Sequence, residues 1–524
     1  MPQRPGVVSP TTFISDRKLN IVKYPITVTA DGYALQRQSI AASLTISDAW
    51  RFAVRNWGLL AAIAITFLVH APTLRYFFDG DDFVVVGSIR YSGTGQYLLD
   101  TLRMQDIVPS WRPLSGLVYA AEWNLFGMNA MGWRAVNLAV HLGSVALLYT
   151  LVARVTRRQA VGAIAAVVFG VSGAHFDTVT YITALPHVLA TFFVLASILA
   201  VVSYAQDGER NPWAFWAAFA LFALAFLSNE GAFVYAPVVV AAYALFARRW
   251  HDAPLRLVLH AVPFAGLATG WLAFYESCTC SQLKFDGYYW GPHVATNYAV
   301  YFSWLAYPAH GIPLTPDALR WVLAGAVALV ALVAAVRGPQ IARLAVFGMI
   351  LALLPFAPVK IWTASRYSYG AVAFFAPLAA VTAYAAYDRV RGAHRFLRVP
   401  ATVLGVALVA AVAVLYGWQS YAQDARSGRE TDRWQLLVNE LRRTNSSVPP
   451  GTTIWIVDGP WTNPMEQYTW VPSVARAVYG NAAAFDLPRQ AYQDSPPSLH
   501  NAIFMEWTVD GLRPVQPQQV VAAH

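Results

Sequence analysis

WGLLAAIAITFLVHAPTLRYFFDGDD, residues 57–82, sets an apolar run directly against three aspartates in four positions, Asp79, Asp81 and Asp82. The run from 57 to 74 is long enough to cross the hydrocarbon core as a helix. Concentrated negative charge beside a bilayer costs free energy unless a cationic ligand, a metal ion or a proton uses it. The apolar half therefore predicts a membrane fold, and the acidic half predicts a site at its surface.

Composition extends the first reading to the whole chain. Its 524 residues are 57% hydrophobic and 12% charged, about half the charge of a soluble domain. The 19 Trp and 26 Tyr suit aromatic belts at membrane interfaces. Apolar runs near 57–74, 133–153, 159–174, 187–205, 212–228, 231–247, 257–275, 318–336, 344–359, 369–387 and 400–418 predict about eleven spans. Stretches 97–104 and 114–126, in the first outer loop, read as helices lying along the interface. Region 294–310, with Tyr298, Tyr301, Phe302 and Trp304, reads the same way.

The composition shifts after residue 419. Trp434, Leu437, Val438 and Leu441 recur at helical spacing. Pro449-Pro450-Gly451 then breaks the chain, and 454–457 reads as a short buried strand. The expected organisation is a cytoplasmic arm (1–56), a transmembrane domain (57–418) and an extracytoplasmic extension (419–524). The arm lacks a cleaved signal pattern, and 46–57 reads as an amphipathic helix with Trp50 and Phe52 toward lipid. Residues after Pro514 are expected to be disordered.

Basic residues set the orientation. Arg154, Arg157, Arg158, Arg210, Arg248, Arg249, Arg256, Arg337, Arg343, Arg389, Arg391, Arg395 and Arg398 fall in loops of one side. By the positive-inside rule that side, and the N-terminus, is cytoplasmic. An odd number of spans then puts the C-terminus outside. High Ala, Val and Arg with little Lys points to a GC-rich bacterium and its plasma membrane. The net charge of +9 belongs largely to these loops and forms no basic-aromatic stripe, so nucleic acid is not expected as a partner. Cys278 and Cys280 are too few for a disulfide framework or a four-ligand zinc site.

This orientation gathers the remaining polar groups on the outer face. Asp79, Asp81 and Asp82 offer a general base or a divalent-cation site, although Asp-Gly is also ordinary turn chemistry. Arg112, fixed by Pro113, presents a planar fork to a phosphate, or else pairs with the acids. His175 and Asp177 would complete the site or hold a metal ion. Glu230, in a Ser-Asn-Glu-Gly turn, would do the same or offset a helix dipole. Arg366, with Tyr367 and Tyr369, faces outward against the positive-inside bias and would bind a phosphate. Acids for proton transfer and arginines for phosphate, at one membrane face, are what chemistry on a lipid-phosphate-linked sugar needs.

The order Asp81-Asp82, Arg112-Pro113-Leu114 and Leu125-Phe126-Gly127, with Asn137 and His141, resembles the GT-C superfamily of membrane glycosyltransferases, particularly its protein O-mannosyltransferase-like members. Residues 169–190, with His175, Asp177 and Tyr181, look like that group's second outer loop. Ser228-Asn229-Glu230 is similar to its Ser-Lys-Glu turn, and Arg366-Tyr367-Ser368-Tyr369 to its late Arg-Tyr-x-Tyr motif. The resemblance covers about residues 57–390. It implies a polyprenyl-phosphate sugar donor, a protein, lipid or glycan acceptor, action outside the cytoplasm, and Asp81 as base assisted by Asp82.

The expected fold is thus an all-α polytopic GT-C-type bundle of about eleven transmembrane helices, with a small α/β C-terminal extension. The expected function is an inverting hexosyl- or pentosyltransferase. No cofactor is required by this reading; a divalent metal ion is the one candidate it offers. A transporter or flippase for lipid-linked polysaccharide, or a non-catalytic assembly subunit, is the alternative. Spans almost free of charge and the absence of paired halves argue against transport.

Overall fold

The computed structural model describes residues 56–103, 111–247, 254–277, 287–306, 317–360, 363–393, 398–461, 463, 465–487 and 501–522. The 46–57 helix, apart from its last two residues, and Cys278 and Cys280 lie outside the described residues.

Helix α1 (Trp57–His70) leads through a 3-10 turn to α2 (Gly80–Ser92), α3 (Thr94–Arg103) and α4 (Pro113–Phe126). Then come α5 (Ala130–Thr156), α6 (Gln159–Gly170), the short α7 (Phe176–Thr180), α8 (Leu185–Gln206), α9 (Pro212–Ser228) and α10 (Ala236–Phe246). Next are α11 (Pro254–Ser277), α12 (His293–Ala306), α13 (Asp317–Arg337), α14 (Gln340–Leu353), α15 (Tyr369–Ala393) and α16 (Arg398–Thr444). Among the described residues, seven helical segments are long and apolar enough to cross a membrane, and four shorter apolar ones accompany them. Each falls on one of the expected runs. The protein is an integral membrane protein.

The shorter helices depart from expectation in an informative way. Helix α6 stops at Gly170, four residues before its apolar run ends, and leaves its last carbonyls inside the protein. A helix end buried away from water needs donors for those carbonyls. Here they come from histidine side chains, as described below. The described part of region 294–310 lies in α12, whose 14 residues are fewer than a full crossing takes.

Helix α16 is one unbroken helix of 47 residues, roughly 70 Å long and about twice the hydrocarbon thickness. The helical spacing read after residue 419 lies in its C-terminal part. Trp434, Leu437, Val438 and Leu441 are all buried there. The strands β1 (Thr452–Val457), β2 (Ala482–Leu487), β3 (Ala502–Thr508) and β4 (Gly511–Pro514) follow, with α17 (Val471–Tyr479) between β1 and β2. The sheet order is β2-β1-β3-β4. β1 is parallel to β2 (Ile454 opposite Ala484) and to β3 (Ile454 opposite Ile503), and β4 is antiparallel to β3. The disorder expected after Pro514 is not found: α18 (Pro517–Ala522) forms, and Val520 packs with Val457, Leu487 and Phe504.

Two cores result. One fills the helix bundle. The other joins Phe83, Val86 and Ile89 of α2 to Trp434 of α16, Ile454 of β1 and Val474 of α17. The first loop and the sheet unit therefore share one apolar interior. Glycines make the close approach possible: a Cβ at Gly80 would lie 2.8 Å from the Trp470 ring, and one at Gly87 2.7 Å from the Ser473 carbonyl.

Candidate functional site

The acidic stretch is the N-terminus of α2. Asp79 is its N-cap: the Gly80 N–H donates to Asp79 Oδ1 (2.8 Å), and the Asp79 N–H donates to Asp82 Oδ2 (3.0 Å), closing a capping box. Asp82 is fully buried. Its Oδ1 accepts from the Thr183 N–H (3.0 Å) and hydroxyl (3.2 Å), which ties α2 to the 181–184 turn. Burial pushes the Asp82 carboxyl up to about 7 and that of Asp79 up to about 6, against the nearby Arg134 charge. Asp81 is different. Its carboxylate is half-buried and accepts one hydrogen bond, from Trp470 Nε1 at 2.8 Å. Two of the three aspartates therefore build the helix start, and the third is presented by it.

Tyr181 joins this cluster to the far motif. Its hydroxyl accepts from the Asp81 N–H (2.9 Å), and its ring lies under the Arg366 guanidinium, 5.6 Å from the centroid. Arg366 also sits 5.6 Å from the Tyr367 ring, which stacks on Phe356 at 4.4 Å. Asp81 and Asp177 are the carboxylates whose charges act on Arg366. Arg366 and Tyr367 line a small cavity together with His187, Asn229 and Tyr235. In that cavity Asn229 Nδ2 is buried without a hydrogen-bond partner, while its Oδ1 accepts from the Gly231 N–H at 2.8 Å. An unpaired buried donor next to a guanidinium suits an anion.

Other expected residues take different places. Arg112 does not face an open phosphate site: its fork grips Glu230 in a bidentate pair (2.6 and 2.5 Å). The Ser115 hydroxyl donates to the Ser228 carbonyl nearby (2.9 Å). The Arg-Pro-Leu and Ser-Asn-Glu motifs thus interlock the first loop with the α9 end. Tyr369 is fully buried and its hydroxyl meets His141 Nδ1 at 2.8 Å, so it does not reach a surface headgroup. His175, Asp177 and Glu230 do not converge. Among the described residues no three His, Cys, Asp or Glu side chains gather as a metal-binding group.

His175 is fully buried, and desolvation pulls it down to about 4. Its Nε2 meets the Phe169 carbonyl at 2.8 Å, while His70 and His141 both reach the Gly170 carbonyl at 3.1 Å. Ser420 donates to the Val171 carbonyl. These side chains cap the early end of α6.

Arg134 and Trp470 escaped the sequence reading, which held Asn137 only as part of the motif order. Arg134 is buried and donates to the carbonyls of Tyr76, Phe77 and Thr180. Asn137 donates to those of Thr178, Val179 and Tyr181 (3.1 Å each). Together they hold the acidic loop against the 176–184 segment. An arginine inside an apolar run was the available signal. The other was Trp470, 389 positions from the aspartate it touches.

Residues 109–271 match the model of the dolichyl-phosphate-mannose-protein mannosyltransferase family. Two solved structures share the architecture. Apo ArnT from Cupriavidus metallidurans is 14% identical, with 87% of this chain and 94% of that chain covered and a TM-score of 0.51. The same enzyme bound to undecaprenyl phosphate is 13% identical, with 85% and 92% covered and a TM-score of 0.50. This is a GT-C fold. The family match agrees with the resemblance over residues 109–271, and the Asp79–Asp82 and Arg366-Tyr367-Ser368-Tyr369 motifs lie outside it. No curated protein sequence matches the chain. The family match begins just ahead of Arg112 and includes Arg134, Asn137, Tyr181 and the 228–231 turn.

Proposed function

We propose that the chain is an inverting glycosyltransferase moving a sugar from a polyprenyl phosphate to an acceptor hydroxyl at the non-cytoplasmic face of a bacterial plasma membrane. The observation that carries this reading is the meeting of Asp81 and Arg366 at Tyr181. It brings a half-buried aspartate, through its backbone N–H, to the hydroxyl of the tyrosine whose ring lies beside a guanidinium that has no ion pair among the described residues. Arg366 and the Asn229 amide hold the donor phosphate. The acceptor oxygen attacks the anomeric carbon, its proton passes to Asp81, and the carbon–oxygen bond to phosphate breaks with its electron pair going to the phosphate. Neutralising that developing charge is the largest task for the protein. A single displacement inverts the anomeric centre. Arg112 and Glu230 keep the loop docked rather than touching the donor.

The test is binding of labelled undecaprenyl phosphate to purified protein in detergent. Arg366→Met weakens it about 10- to 100-fold, the worth of a charge-assisted contact. Undiminished binding by a well-folded Arg366→Met protein removes the reading.

A further inference from the structure

The geometry points to Trp470 of the sheet unit as the positioning residue for Asp81, so that the C-terminal region is part of the transferase site rather than an appendage to it. This rests on Asp81 being the proton acceptor proposed above.

The argument begins with where Trp470 sits. It ends a π-helical turn, Glu466–Trp470, immediately before α17. Such turns are rare and re-aim side chains. The indole lies flat on the start of α2, at a place where only glycine leaves room: the Trp470 ring atoms occupy the position a Gly80 side chain would take. From that seat the indole N–H reaches Asp81 Oδ1 at 2.8 Å. A second indole from the same side, Trp434, reaches Asp79 Oδ1 at 3.1 Å. The two rings pack edge to face, 6.0 Å apart. The shared apolar core of α2, α16 and α17 fixes all three elements to one another.

The chemistry follows from the donor. An indole offers one N–H and no acceptor. It occupies Oδ1 of Asp81 and cannot take the proton that Asp81 collects. Oδ2 is left as the oxygen that faces an acceptor hydroxyl. The contact therefore chooses which oxygen works, and it favours the charged carboxylate that a base must be. The other charged and titratable groups around Asp81 are Asp79 at the N-cap of α2 and Asp82 on it, Tyr181 and Asp177 on the 176–184 segment, Arg366 in the 3-10 turn ahead of α15 and Arg134 on α5. On the sheet side Glu466 is neutralised by Arg433 at 2.6 Å. Trp470 is the contact among them that the C-terminal region supplies to the Asp81 carboxylate.

Trp470→Phe keeps a ring on Gly80 and deletes only the N–H. Protein labelled with 5-fluorotryptophan identifies Trp470 as the fluorine resonance missing from this variant. In otherwise wild-type protein that resonance shifts with pH, and Asp81→Asn reduces the shift to what the neighbouring Asp79 and Asp82 supply. A Trp470 resonance that ignores pH, or whose response is undiminished in Asp81→Asn, overturns the inference.

Turnover is the second measurement, using a panel of undecaprenyl- and dolichyl-phosphate sugars as donors. Trp470→Phe lowers kcat about tenfold near neutral pH and moves the acid limb of the rate profile up by about one pH unit. Donor KM stays within about twofold, since the phosphate contacts are untouched. Gly80→Ala, which displaces the ring while keeping the indole, reproduces the acid-limb shift. An unchanged rate profile in Trp470→Phe removes the positioning role even if the resonance responds. Wild-type protein silent toward every donor counts instead against the transferase reading, and the fluorine titration still decides the contact.

Discussion

Two polar sets lie at the same end of this bundle, the aspartates of α2 and the histidines around the end of α6. On paper both look functional. The aspartates divide their labour: Asp79 and Asp82 cap and anchor the helix, and this leaves Asp81 half-buried beside Arg366 and Tyr181. The histidines do not divide theirs. His70, His141 and His175 are all fully buried and all reach backbone carbonyls of Phe169 or Gly170. The difference lies in what each helix end needs. α2 starts beneath the Trp470 ring, where two carboxylates suffice to cap and anchor it, and one acidic side chain remains to act. α6 ends inside the protein, where unmet carbonyls are costly, and its neighbours are used up meeting them.

The largest expected effect tests the free member. Asp81→Asn keeps the shape and the Trp470 neighbour, and it removes the base. Turnover falls roughly 10²- to 10⁴-fold while size-exclusion behaviour and thermal midpoint stay those of the parent. Turnover retained within tenfold would move the base elsewhere, and the contrast between Asp81 and its two neighbours would collapse.

The next effect separates Asp82 from Asp81. Burial raises the folded carboxyl of Asp82 to about 7, whereas an unfolded aspartate titrates near 4. The folded state thus holds its proton more tightly, and stability is greatest below the unfolded value. It declines as pH rises through the interval up to about 7, by on the order of a few kcal/mol. Asp79, raised to about 6, adds to the same slope. Thermal midpoints in detergent therefore fall between about pH 5 and about pH 8, and Asp82→Asn flattens much of that decline. A flat profile in the parent protein would show that the hydrogen bonds from Asp79 and Thr183 keep Asp82 ionised throughout.

How much of this was legible beforehand follows the range of the interactions involved. Every apolar run holds a helix, because a span is encoded by some twenty consecutive residues, although α6 and α14 stop short of the ends of their runs. The Arg366 motif was found by its position against the charge bias, and the acid cluster by its place after α1. What could not be read was partnership. Arg112 and Glu230 are 118 positions apart and were assigned separate tasks, yet they neutralise each other. Tyr369 carries the same residue type as Tyr367 two positions away, but α15 turns it into the core. The glycine of Asp79-Gly80-Asp81 looked like turn chemistry, whereas its backbone is helical and it is small because Trp470 rests on it. Sidedness, charge bias and length are local properties of a membrane sequence, and side-chain pairing across the bundle is not.

The smallest effect tests the histidines themselves. His175→Phe preserves the ring that packs against Tyr369 at 4.9 Å and Phe169 at 5.4 Å. It deletes the donor to the Phe169 carbonyl. Leaving that carbonyl unmet inside the protein costs about 1–3 kcal/mol, read as a lower thermal midpoint. Turnover per folded molecule should stay within about twofold, because His175 reaches neither Asp81 nor Arg366. Since burial holds the imidazole down to about 4, it is neutral across the range from about pH 5 to about pH 8, and its loss should leave the pH–rate profile unmoved. The opposite pattern, an unchanged midpoint with turnover lost, would return His175 to the chemistry and make the two polar sets one site.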